Sequence, residues 1–314
     1  MHQSLVPAES IWTWEQADGS TLEVAWQCHA DTAEARQSSN VPAVVLVHGF
    51  GASGHHWRHN LPVLGEQTRT YALDLIGFGG SSQPQALLAG EQPAVDRPKS
   101  SQALVYSFDL WGQQVADFCN AVVQGPVLLV GNSIGGVVAL RAAQLLKEHC
   151  KGVVLIDCAQ RLMDDKQLAT QPAWMAWIRP LLKTLVSQRW LSTALFRNAA
   201  RPRVIRSVLG QAYPSGENVD DQLVELLYKP TQRAGAAEAF RGFINLFNDH
   251  LAPDLLENLH QPVDLIWGER DPWEPVAEAQ EWAKRFNCIQ SIKILGEAGH
   301  CPHDESPKEV NQAL

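Results

Sequence analysis

The stretch PVLLVGNSIGGVVALRAAQLL, from Pro126 to Leu146, joins a short aliphatic run to an apolar segment of helical length through Gly131-Asn132-Ser133-Ile134-Gly135. A G-x-S-x-G pentad should occur by chance about 0.1 times in a chain of this size, with glycine and serine each near ~7%. Its flanks raise the signal. A strand that turns sharply into a helix at a serine presents the hydroxyl on a strained bend, and glycines are needed where a Cβ would strike the neighbouring chain. A serine acting only as a helix cap would occupy the same position.

A serine hydroxyl is a weak nucleophile at neutral pH, so the bend calls for a histidine to take its proton and a carboxylate to orient that histidine. Both are expected at the ends of later strands. After Val263-Asp-Leu-Ile-Trp267 come Gly268-Glu-Arg-Asp271-Pro-Trp273, and after Ser291-Ile-Lys-Ile-Leu295 come Gly296-Glu-Ala-Gly-His300. Asp271 and His300 are therefore the candidate acid and base, in the chain order Ser, Asp, His. His303 is an alternative base, and Asp157 or Glu269 an alternative acid. For Cys301, beside His300, packing is the preferred reading.

A second glycine motif lies earlier, at Gly49-Phe50-Gly51-Ala52-Ser53-Gly54, after the strand AVVLV and with Asp74 about 20 residues further on. Those are features of a dinucleotide-binding loop. His48 immediately before it, and two strands before that, favour a different use. Acyl transfer builds negative charge on a carbonyl oxygen, and backbone N–H groups aimed at it stabilise the transition state. The N–H groups of Phe50 and Ile134 are assigned that role, so no cofactor is expected. His48, His55, His56 and His59 cluster near this loop, but no carboxylate or cysteine spacing accompanies them, and no metal site is expected.

Working outward, strand-like runs alternate with amphipathic segments. They are Ile11 to Glu15, Leu22 to Gln27, Ala43 to Val47, Thr70 to Leu73, Val127 to Val130, Val153 to Ile156, Val263 to Trp267 and Ser291 to Leu295. Helical segments at Phe108 to Val123, Gly135 to Glu148 and Val276 to Phe286 imply crossovers and a mostly parallel sheet covered on both faces, an α/β fold. The first two strands form a hairpin at one edge. His29 to Asn40 and Ser82 to Gln102 read as surface loops. From about Ala159 to Leu251 only helical patterns occur, broken at Pro172, Pro180, Pro202, Pro214 and Pro230. The expected division is a core of 1–158 and 253–314 with a helical cap at 159–252.

The chain resembles the α/β-hydrolase superfamily through five motifs in order: HGFG (His48 to Gly51), DLIGFGGS (Asp74 to Ser81), GNSIGG (Gly131 to Gly136), GERDPW (Gly268 to Trp273) and GHCPHDESP (Gly299 to Pro307). That resemblance implies an eight-stranded sheet with a helical lid after the sixth strand. Members with an aspartate nucleophile are disfavoured by Ser133. The elbow and the GFGASGHHW loop look like a cyanobacterial and plastid group that includes the chlorophyll dephytylases and pheophytinases. The chain departs from the pattern in its long loop at Ser82 to Gln102 and in a last helix cut short at Leu314.

Of the 314 residues, 45% are apolar and 19% charged, which excludes a disordered chain. The net charge of -9 argues against nucleic acid as a partner. No stretch reads as a membrane span or a secretory signal, so the cytoplasm is the expected location. The six cysteines show no metal or redox spacing and are expected as free thiols. Residues 159–251 hold 12 basic and 8 acidic residues, so they carry +4 while the rest carries -13. Arg179, Lys183, Arg189, Arg197, Arg201, Arg203 and Arg206 there are interleaved with Trp174, Trp177, Trp190 and Phe196. Such a surface suits peripheral docking on anionic lipid, unless its aromatics pack inward and its cations are merely solvated. The expected function is hydrolysis of an ester with a large apolar portion, a phytyl ester among the candidates. A carbon-carbon bond hydrolase and a ligand receptor without turnover are the alternatives.

Overall fold

A computed structural model describes residues 9–30, 41–88, 90–92, 103–160 and 183–314 of the chain. Eight strands make one sheet: β1 (Ser10–Glu15), β2 (Thr21–His29), β3 (Ala43–Val47), β4 (Thr70–Leu73), β5 (Val127–Asn132), β6 (Cys150–Ile156), β7 (Val263–Gly268) and β8 (Ile289–Leu295). Their spatial order is β1-β2-β4-β3-β5-β6-β7-β8. β1 and β2 form the expected antiparallel hairpin, β2 runs antiparallel to β4, and every pairing from β4 to β8 is parallel. β3 and β4 are buried at every residue, as a strand covered on both faces must be, and their AVVLV and TYAL sequences contain no charge.

Helices α1 (Phe108–Phe118) and α2 (Ile134–Leu146) pack against each other and cover one face. The Ser107 hydroxyl starts α1 by accepting the Leu110 N–H at 3.1 Å. At the start of α2, glycine is dictated by space. A Cβ on Gly131 would lie 2.2 Å from the Gly135 carbonyl oxygen, and one on Gly135 would lie 2.3 Å from that of Val47. The backbone of the turn thus touches the end of β3 directly, which no larger residue allows.

Between β6 and β7 come α3 (Arg189–Ala199), α4 (Pro202–Ala212), α5 (Asp221–Thr231) and α6 (Ala236–Ile244), and α7 (Val276–Arg285) links β7 to β8. Pro202 opens α4, where its missing N–H costs nothing, and Pro214 follows the end of α4. Pro172, Pro180, Trp174, Trp177 and Arg179 lie outside the described residues. All six cysteines are free.

The reading of Ser82 to Gln102 as a surface loop needs correction over its described part. Gln85–Ala86 pairs in parallel with Ala103–Leu104, and Ala86 is fully buried. Arg241 on α6, itself buried, donates to the Ala86 carbonyl oxygen at 3.1 Å and to Glu91 at 2.6 and 3.0 Å. A buried guanidinium needs such acceptors, so it draws the stretch around Ala86 and Glu91 inward. His29, placed in a loop by its polarity, ends β2 instead.

Candidate active site

The carboxyl ends of the parallel strands all open on one edge of the sheet, and the loops leaving them bring the sequence-selected residues together. Ser133 follows β5 with φ +56° and ψ −124°, a conformation that strains a non-glycine residue by about 1–3 kcal/mol. Its backbone is fixed on both sides. The N–H donates to the Ile156 carbonyl at 3.0 Å, and the carbonyl accepts from the N–H groups of Gly136 and Ala159, each at 3.0 Å. The hydroxyl has no hydrogen-bond partner among the described residues and lines a cavity of about 640 Å³ that His300 also lines. Contacts between a serine and its base are often loose in a site without substrate and tighten when it binds.

His300 is held from three directions. Its Nδ1 lies 2.8 Å from Asp271 Oδ2, its backbone N–H donates to the Ala212 carbonyl at 2.9 Å, and its carbonyl accepts from Asn132 Nδ2 at 3.0 Å. The other Asp271 oxygen accepts from the N–H groups of Trp273 at 2.8 Å and Glu274 at 3.2 Å. Burial opposes ionisation of Asp271, but the hydrogen bond and charge of His300 outweigh it and hold the carboxyl below the usual carboxylate range. An ionised carboxylate only accepts, so Nδ1 carries a proton, and in the neutral ring Nε2 offers its lone pair.

The glycine loop after β3 lies against the serine: a Cβ on Gly49 would come within 3.1 Å of Ser133 Cβ. Buried His48 sets the loop. Its Nε2 accepts the Leu75 N–H at 3.0 Å, so Nδ1 carries the hydrogen and donates to the Gly49 carbonyl at 2.7 Å. Burial pushes the pKa of His48 down, in keeping with a neutral ring. With the Gly49 carbonyl anchored, the trans peptide turns the Phe50 N–H the opposite way. Neither the Phe50 nor the Ile134 N–H has a partner among the described residues. A hydroxyl, an imidazole and two unspent N–H donors about one cavity can serve acyl transfer.

The alternatives fare differently. His303 is fully buried between Trp57 and His56, with ring centroids 4.3 and 4.7 Å away, and is not part of the cavity wall. Glu269 is exposed. The Asp157 carboxyl accepts from the Gly268 N–H at 3.0 Å and faces Asp271, and it is Asp271 that bonds His300. Asp74, the acid of the supposed dinucleotide loop, is buried and accepts from the N–H groups of Gly54 at 2.6 Å and Gly80 at 2.7 Å. Its oxygens tie two glycine turns together and are not displayed to a ribose. Two histidines near that loop bond to other elements: His56 Nε2 donates to Tyr213 Oη at 2.8 Å, and His59 lies 3.7 Å from Asp304. Among the described residues no metal-holding group occurs.

The model of the alpha/beta hydrolase family matches residues 44–313, nearly the whole chain. The chain belongs to the alpha/beta hydrolase family. This hydrolase is 26% identical over 297 residues to the chloroplastic pheophytinase of Arabidopsis thaliana, covering 88% of its own length and 60% of that relative's. It is 30% identical over 281 residues to the 2-hydroxy-6-oxo-6-(2'-aminophenyl)hexa-2,4-dienoic acid hydrolase of Metapseudomonas resinovorans, covering 86% and 81% of the two chains. In fold it is similar to a thermophilic esterase from Thermogutta terrifontis, with a TM-score of 0.66, 22% identity, and coverage of 98% of this chain and 96% of that one.

Two residues of this site carry no role in the sequence reading. Asn132 is only the variable position of the pentad there, yet its amide also donates to the Ile156 carbonyl at 3.2 Å and so links the turn, β6 and the His300 loop. Glu274 is the one carboxyl among the described cavity-lining residues. Burial pushes it up to about 8, helped by the Asp271 charge and opposed by the Gln160 N–H bonded to it. A carboxyl raised in the folded state stabilises the fold fully below its ordinary 4.5 and loses that contribution as pH rises through about 8. Glu274→Gln removes the titration. Its melting temperature is expected to gain on the parent's across that window, and a gap that stays constant with pH contradicts the assignment.

Among the described residues no helix is long and apolar enough to cross a membrane. Part of the basic charge between β6 and β7 is also spent internally. Arg189 pairs with Glu238, and Arg206 with Asp221. Arg197, Arg201 and Arg203 are exposed and have no ion-pair partner among the described residues.

Proposed function

We propose that this alpha/beta hydrolase cleaves a carboxylic ester bearing a large apolar group, through an acyl-enzyme on Ser133. The observation that carries the reading is a serine on a strained bend, opening into a cavity walled by Phe78, Phe196, Leu209, Phe240 and Phe243, with no lysine or arginine among its described lining residues. A wall of that kind favours a neutral, apolar ligand.

Ser133 Oγ attacks the ester carbonyl carbon as His300 Nε2 takes its proton. The oxygen that gains negative charge is bound by the Phe50 and Ile134 N–H groups, and Asp271 stabilises the imidazolium. Collapse expels the alcohol, which leaves with the proton from His300. Water, deprotonated by the same Nε2, then clears the acyl group and restores the serine. The likeness to pheophytinase supports a phytyl ester such as chlorophyll or pheophytin as substrate.

The test is turnover on esters of graded acyl length, with a phytylated pigment and a diketone of the carbon-carbon hydrolase type in the same panel. Rates that rise with apolar length support the reading. Preference for short acyl chains, cleavage of the diketone alone, or binding without repeated turnover would each replace it.

The helices between β6 and β7 serve in this reading as a cap, and their outer side as a contact with anionic membrane. Val208 both lines the cavity and is 43% exposed, Trp190 is 71% exposed, and Arg197 on α3, Arg201 just before α4 and Arg203 on α4 are exposed as well. A cavity lined by helices that also expose an indole and cations suits entry of substrate from a bilayer. Sedimentation with phosphatidylglycerol-containing vesicles is expected, and replacing the three arginines by glutamine should weaken it about 10²-fold, at about 1 kcal/mol per cation. Equal binding to zwitterionic vesicles would sink this contact.

A further inference from the structure

Behind the Ser133, His300 and Asp271 constellation lies a second carboxyl that the reaction as described does not use. Asp157 follows β6 with φ +43°, and its side chain is fully buried. Its oxygens share a single backbone donor, the Gly268 N–H, at 3.0 and 3.3 Å, while its carboxyl faces that of Asp271, whose side chain is also fully buried. Two carboxylates cannot bond each other without a proton between them. Away from water, leaving both charged would cost far more than protonating one.

The donors decide where that proton sits. Asp271 receives Nδ1–H of His300 and the N–H groups of Trp273 and Glu274, whereas Asp157 receives one N–H. The charge belongs on the better-solvated partner. We propose that Asp157 is a positioning residue: a neutral carboxylic acid that donates its O–H to Asp271, locking the Asp271 carboxylate toward His300. The role rests on the ester-hydrolase reading for its catalytic meaning, though not for the proton itself.

Two effects follow. The donated O–H fixes the Asp271 rotamer from the side opposite His300. It also draws electron density from the carboxylate, which keeps Asp271 an acceptor rather than a base that would strip the proton from the imidazolium. Burial first, and then the facing Asp271 charge, push the Asp157 carboxyl well above its ordinary range. The other groups that face this pair are Glu274 on the β7 loop, His300 and Cys301 on the β8 loop, and Cys158 beside Asp157.

The experiment compares Asp157→Asn and Asp157→Ala in the full chain. Asparagine keeps an N–H donor for Asp271 and tolerates the positive φ, while alanine removes the donor. Expected are a kcat at least tenfold lower for Asp157→Ala, with the acidic limb of the kcat/KM profile moved to higher pH, and rescue of most of that loss in Asp157→Asn with the limb in place. Difference infrared spectroscopy should show a protonated-carboxyl C=O band at neutral pH that Asp157→Asn removes. Melting curves on each variant separate loss of fold from loss of position.

If Asp157 were ionised, asparagine would delete a negative charge and shift the acidic limb to lower pH, and the infrared band would be missing. Either result overturns the proposal. The infrared readout needs no turnover, so it judges Asp157 even if the panel of esters fails. Failure of the ester-hydrolase reading would appear instead as a Ser133→Ala variant that keeps the parent's rate.

Discussion

Ser133→Ala is expected to lower kcat for any ester turned over by the parent by at least about 10⁴-fold, leaving the melting temperature close to unchanged. The substitution removes one oxygen that has no hydrogen-bond partner among the described residues, so folding has little to lose. The strained backbone is kept, because its restraints are main-chain bonds from Ile156, Gly136 and Ala159 that alanine also satisfies. Chemistry loses its nucleophile. What remains is the pair of N–H donors at Phe50 and Ile134 and the apolar cavity, which can only bind and polarise the substrate. Turnover of the purified variant under single-turnover conditions, with burst formation of product measured beside it, checks this. A surviving burst would place the nucleophile elsewhere.

Asp271→Asn is expected to cost on the order of 10⁴-fold in kcat, by a different route. The introduced side chain would present to His300 Nδ1 either its carbonyl or its amide. The carbonyl keeps the tautomer but loses the charge that stabilises the imidazolium. The amide is worse, because its N–H forces Nδ1 to accept and puts the hydrogen on Nε2, where it cannot take the serine proton. Trp273 and Glu274 donate N–H groups to the same Asp271 oxygen, which favours the asparagine carbonyl there and turns the amide toward His300. Activity should recover partly at high pH. Imidazole nitrogen NMR reads the tautomer directly, and an unchanged Nε2 lone pair with unchanged kcat would remove Asp271 from the mechanism.

The features legible in the sequence are those written locally. The serine turn is specified within five residues by glycines whose missing side chains make room for Val47 and Gly135, and strand ends place Asp271 and His300 by simple adjacency. The same logic yields the sheet, because fully apolar runs such as AVVLV have few other destinations. Contacts made between loops are not legible. Asn132 reaches the His300 carbonyl across 168 residues, and Arg241 reaches Glu91 across 150, with nothing local to mark either end. The pairing of Asp157 with Asp271 escapes the sequence for a related reason. Position alone makes Asp157 a rival acid, and only the burial of both carboxyls turns rivalry into sharing. The basic run between β6 and β7 misleads where Arg189 and Arg206 find acids in other elements.

The end of α4 has one more implication. Ala212 accepts the His300 N–H, Tyr213 Oη donates to Asp304 at 3.1 Å, Ser215 bonds Glu305, and Asn218 Nδ2 donates to the Asp304 carbonyl at 2.6 Å. Arg58 closes the stitch through Asp304 and the Asn218 carbonyl. The helices between β6 and β7 are thus sewn at this seam to the segment that carries the imidazole. Anyone exchanging these helices between relatives would need to keep residues 212–218 native, or carry across a matching seam, since a splice through it would unmoor the imidazole as well.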